Sequence, residues 1–152
     1  TVDVATLFHD AVYDPTSSTN EEDSAELFRA FCAEVGAPQL TAREAWIREA
    51  ILLTKSHRAG ESHGRDVGVL LDADMAVLAR PPAAYAAYAH QIRREYSHVP
   101  WDVYCTKRAE VLAGMLKAEP IFALDASRAA LEGPARRNLT HEIACLGDGR
   151  LP

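Results

Sequence analysis

Apolar residues recur along this chain at steps of three and four, beginning with Val4, Leu7 and Phe8. That spacing predicts a helix that ends in the adjacent pair His9 and Asp10. The stretch "DPTSSTNEED" interrupts the rhythm with residues typical of a loop, and its closing acids suit the first turn of a new helix. That helix is expected from about Glu21 to Val35, with Gly36 as its stop. "TARE", Thr41 to Glu44, has the capping-box pattern, in which a hydroxyl and a carboxylate satisfy free backbone donors reciprocally. The helix it opens carries Ile47, Ile51 and Thr54 on one face and is expected to reach His57. "RAGESHGRD" reads as a glycine-containing loop, and "VGVLLDADMAVLA" resumes a helical pattern up to Pro81 and Pro82. Tyr85, Tyr88, Ile92 and Tyr96 mark the next helix, which Pro100 ends. Tyr104, Arg108, Val111, Leu112 and Met115 mark another, bounded by Pro120, and Leu131, Ala135, Leu139 and Ile143 mark the last.

No segment sustains the alternation of a half-buried strand, so the expected class is all-α, a helical bundle with short loops and mostly antiparallel neighbours. At 152 residues the expectation is one domain, 1–152, with a single core. The chain opens in mid-rhythm, without an initiator Met or a cap, so one or more helices are expected to precede it. No apolar run approaches the roughly 20 residues a bilayer requires, and no membrane association is expected. A net charge of -6 excludes a general nucleic-acid binder, which needs a basic face. Cys32, Cys105 and Cys145 are odd in number and widely spaced, which suggests neither a disulfide framework nor a zinc ribbon and fits a cytoplasmic setting. "NLT" at Asn138 matches a glycosylation acceptor but has no signal peptide beside it and reads as chance.

The candidate chemistry lies in three places. His9 and Asp10 stand at the end of a buried helical face. Thr54, Lys55 and His57, in "LTKSH", stand at the polar end of another. Asp72 and Asp74 interrupt the strongly apolar "LLDADMAVL". A carboxylate in an apolar helix must be paired, protonated or metal-bound. Asp72 and Asp74 point about 200° apart on a helix, so only one can face a shared point; Asp74 is favoured as the ligand, the alternative being that the two acids cap and open a helix. His9, Asp10, His57 and Asp74 offer the imidazole and carboxylate donors that a divalent cation takes, with Mg, Mn, Fe, Ni and Zn not distinguished. Glu21 and Glu22 complement a helix dipole or serve the site. Arg93, Arg94, Arg108 and Arg137 are candidates for phosphate contact or for ion-paired helix faces. The tyrosine stripe reads as core, and "HEI" at His141 lacks the second histidine of a zinc-protease motif.

Taken together, "LFHDAVYDP", "NEEDSA", "LTKSH", "LLDADMAVL", "IRREY", "KRAEVLAGML", "PIF" and "ARRNLTHEI" resemble the HD superfamily of metal-dependent phosphohydrolases, and within it a bacterial family of predicted hydrolases of uncharacterised substrate. The resemblance implies an all-helical HD-domain bundle in which histidines and aspartates from several helices converge on one or two divalent metal ions. His9 and Asp10 match the doublet of the pattern H…HD…D, and Asp74 its final aspartate. His57 matches a histidine that some branches add for a second metal. The pattern's first histidine has no counterpart upstream of His9 and is expected on a preceding helix. Glu21 or Glu22 would orient or deprotonate water, and Lys55 would neutralise charge on a phosphate. The implied activity is hydrolysis of a phosphate ester in a small metabolite or nucleotide. The alternative is a non-catalytic helical module that binds metal or nucleotide, with apolar helix faces left for a homodimer.

Overall fold

The computed structural model describes residues 1–57 and 64–152. Among these residues there is no strand, and the chain is all-α. They form two compact units, Thr1–Asp74 and Met75–Pro152. Of the expected "RAGESHGRD" loop, residues 58–63 lie outside the described residues, and the last three, Gly64 to Asp66, are helical and begin the helix that follows.

The first unit contains α1 (Val2–Phe8), α2 (Asn20–Val35), α3 (Pro38–Thr41), α4 (Glu44–Thr54) and α5 (Gly64–Met75), the last residue of which begins the second unit. α2 ends as expected at Gly36, which adopts the left-handed conformation that costs glycine little. The capping box does not form. Pro38 starts a short helix one turn earlier, Thr41 is drawn into it, and its hydroxyl donates backward to the Ala37 carbonyl. Arg43 then precedes α4 without a side-chain cap. α4 stops at Thr54, short of His57. Ile47, Ile51 and Thr54 are buried on its inner face, and the two isoleucines cluster with Phe28 and Cys32 of α2 and Val67, Leu70 and Leu71 of α5. Phe8 of α1 packs edge-on against Phe28, with ring centroids 5.1 Å apart. This core fixes the ends of α1, α4 and α5, and the polar residues just past those ends are the site candidates.

The α1–α2 connection is ordered by its own side chains. Asp14 accepts hydrogen bonds from the backbone and hydroxyl of Thr16, Asn20 pairs with the Asp14 backbone in both directions, and the Ser24 hydroxyl engages both backbone groups of Val12. Asx-type turns of this kind let a polar loop hold one shape without a core of its own.

The second unit runs from a 3-10 turn, Ala76–Ala79, through α6 (Pro82–Glu95), α7 (Trp101–Lys117), α8 (Asp125–Ser127) and a π-helical turn, Arg128–Glu132, into α9 (Gly133–Gly147). Pro81 and Pro82 set the start of α6, where a missing N–H costs nothing. The core gathers Leu78, Tyr85, Tyr104, Leu112, Phe122, Leu139 and Leu146. Three polar devices tie it together. Asn138 donates to the Leu78 and Arg80 carbonyls. Arg136 donates to Leu116 and Ala118 at the end of α7, satisfying carbonyls the helix leaves unpaired. Glu142, fully buried, accepts from Tyr85 and from Arg108 at 2.9 Å. Cys32 in the first unit and Cys105 and Cys145 in the second are free and buried.

Candidate functional site

The first unit brings His9, Asp10, His57 and Asp74 together. His9 is the residue on which α1 ends, and its Nδ1 donates to the Thr6 carbonyl at 2.7 Å. Because a carbonyl only accepts, that bond puts a proton on Nδ1 and turns Nε2 outward, the arrangement that metal-binding histidines share. Nε2 lies 3.4 Å from Asp10 Oδ2 and 3.5 Å from Asp74 Oδ1. From the other side, His57 Nε2 meets Asp74 Oδ2 at 2.7 Å. His57 reaches this position by an unusual backbone: after α4 ends, Lys55 and Ser56 turn and His57 takes φ 51°, a conformation that strains a side-chain-bearing residue by about 1 kcal/mol. Asp74, in the last turn of α5, therefore holds an imidazole on each oxygen.

The electrostatics follow from that clasp. The Asp74 carboxylate, then the Thr6 carbonyl and Asp10, push the His9 imidazole up to about 9, against the opposing effect of burial. Burial alone would raise Asp74, but the hydrogen bonds from His57 and His9 overcome it and hold the carboxyl well below the usual range. The Asp10 carboxyl is raised, first by partial burial and then, against the pull of His9, by Asp74 and Glu21. Glu21 is thus close enough to be felt at Asp10. Glu22 is engaged elsewhere: Lys55 Nζ donates to its two oxygens at 2.6 and 2.9 Å and to the Ser18 carbonyl, with Glu21 at 3.8 Å. The Lys55 bond lowers Glu22 and raises Lys55.

Asp72, two residues before Asp74, is buried. Three of the arginines weighed for phosphate contact, Arg93, Arg94 and Arg108, are used within the second unit. Arg93 donates to the Tyr96 and Val99 carbonyls, Arg108 binds Glu142, and Arg94 donates to the His90 carbonyl. The residue that sequence reasoning passed over is Glu142, whose "HEI" context was weighed only for His141. Its signal was its place in the stripe Ala135, Leu139, Glu142, Leu146, which is buried throughout.

Donor atoms 3.4 and 3.5 Å from His9 Nε2 are spaced as neighbouring ligands of one cation at bonds of about 2.1 Å would be. Yet among the described residues no group of three or more histidine, cysteine or acidic side chains is arranged to hold a metal ion as it stands. The imidazoles are closed onto Asp74, and donors that bind each other do not converge on a common point. The chain has no significant match to any protein-family model, curated protein or solved structure.

Proposed function

We propose that the first unit hydrolyses a phosphate ester, in a small phosphorylated metabolite or nucleotide, with a divalent cation held by His9, Asp10 and Asp74. The observation that carries this reading is the clasp at Asp74, where imidazoles from the ends of two helices meet one carboxylate and the adjacent doublet supplies a second. The resemblance to HD phosphohydrolases supports it on the same residues. A bound cation would supply Lewis acidity toward a phosphoryl oxygen and a water of lowered pKa.

The protein's own groups have distinct tasks. The Thr6 carbonyl keeps the His9 tautomer that presents Nε2, so the ring is oriented before any ligand arrives. His57 steadies Asp74 and is the further nitrogen donor if a second cation is taken. Glu21, whose charge contributes to raising Asp10, orients a water or takes its proton; Glu22, held by Lys55, keeps the α2 terminus in place. Lys55 is 43% exposed and its pair with Glu22 is a surface contact worth little. A phosphate dianion can therefore draw the ammonium across to neutralise its charge.

Metal content and phosphatase activity of the natural full-length polypeptide test the reading, over a panel of nucleotides and sugar phosphates. Asp10→Ala and Asp74→Ala should each weaken metal binding by more than about tenfold. Lys55→Ala should leave the metal in place and slow turnover by about a hundredfold. Unchanged metal content in both aspartate variants would mean that the cluster is a structural ion-pair network. The closed hydrogen bonding at Asp74 favours one competing reading, a binding module without turnover; retained metal and no hydrolysis across the panel would establish it.

A further inference from the structure

The second unit contains a groove of about 420 Å³ beside α6 and α7, within the range of small-molecule sites. Its walls are Ile92 of α6, Tyr96 and Val99 of the connecting segment, and Val103 and Val111 of α7. The end wall is built rather than loose. Arg93 donates to the Tyr96 and Val99 carbonyls at 2.6 and 3.1 Å, and its guanidinium lies 5.3 and 4.8 Å from the ring centres of Trp101 and Tyr104. Val103 and Val111 are 44% and 52% exposed, an apolar ridge that a folded chain has reason to cover.

The charge at the groove is one-sided. Its lining includes two cations, Lys107 and Arg108, and no carboxylate. Arg108 is committed to buried Glu142. Lys107 sits between the two valines on the same helical ridge, and its bond to Glu110 joins two exposed side chains, a pair that exchanges cheaply. The groove therefore offers a long apolar wall and one displaceable ammonium on a flexible stem. The ridge from Val103 to Val111 spans about 12 Å at the helical rise, close to an extended medium-length acyl chain.

From this we infer that the α6–α7 groove binds a medium-chain aliphatic carboxylate, the chain lying against Ile92, Val99, Val103 and Val111 and the carboxylate taking Lys107 from Glu110. The one exchangeable cation matches the single charge of a carboxylate. This site is independent of the phosphohydrolase reading and uses none of its residues.

Calorimetric titration with decanoate below its micellar range, with decanol as the neutral counterpart, tests the inference. Decanoate should bind saturably with one molecule per chain. Lys107→Met should weaken decanoate by about fivefold and leave decanol unchanged, whereas Val103→Asp should weaken both by at least about tenfold. Both positions are exposed, and unchanged melting temperatures would show that the variants fold. Absence of saturable decanoate binding, or binding indifferent to Lys107→Met, would overturn the proposal. So would a change of oligomeric state in Val103→Asp without decanoate binding, since the ridge would then be a contact between copies of the chain.

Discussion

His9 carries its charge because of Asp74, and this ties the cluster to pH. With its folded value raised from 6.5 to about 9, the protonated imidazole stabilises the folded state. The contribution is complete below the unfolded value near 6.5 and is lost as pH rises through about 9. Its ceiling is about 3 kcal/mol, and the depressed Asp74 value belongs to the same contact and is not counted again. Thermal unfolding of the metal-free protein should show stability declining between about pH 6.5 and about pH 9.5, and His9→Gln should flatten that slope. A slope identical in the variant would remove His9 as its source. The same proton opposes metal loading, because a ligand nitrogen must be free of it. Cation affinity should therefore rise by about tenfold per pH unit up to the His9 titration, measured by competition with a chelator.

Three helices meet at Glu142, and here the second unit is most exposed to a single change. The carboxylate of α9 accepts from Tyr85 of α6 and Arg108 of α7, and it is fully buried. Burial first and Glu142 second push the Tyr85 hydroxyl far up, so the tyrosine remains a donor. Glu142→Gln should cost about 3 kcal/mol or more in denaturant unfolding, because it leaves the Arg108 charge buried without its counter-ion. Adding Arg108→Met to that variant should return a large part of the loss; a double variant no better than the single would show that the charge is not the cause. This network also marks the limit of what sequence patterns convey. Prolines and apolar spacing placed α2, α6, α7 and α9, since those signals are local and report directly on backbone and buried face. That only one of Asp72 and Asp74 can face His9 was legible as well, from helical geometry; which one does so was left open by that geometry, and it is Asp74 that lies beside His9. The capping box was not, because Pro38 starts a competing turn just upstream of it. Lys55's engagement with Glu22 and Glu142's role in a triad were hidden for a different reason. Each depends on partners 33 to 57 residues away, and no local spacing encodes them.

Each unit has a hydrophobic cluster of its own, one around Phe28, Ile47 and Ile51 and the other around Leu112, Phe122 and Leu139. The metal-site candidates lie entirely within the first and the apolar groove within the second. The distribution of thiols gives this arrangement a kinetic signature. Cys32 is inside the first cluster and Cys145 is fully enclosed in the second unit. Neither sulfur can meet a thiol-specific reagent until its surroundings open, so each labelling rate is a clock for one unit alone. Phe28→Ala, which empties a fully buried site at a cost of about 3 kcal/mol or more, should speed modification of Cys32 by roughly a hundredfold. The response of Cys145 in the same sample, read by mass spectrometry of the labelled peptides, then measures how far an opening in one core is transmitted to the other.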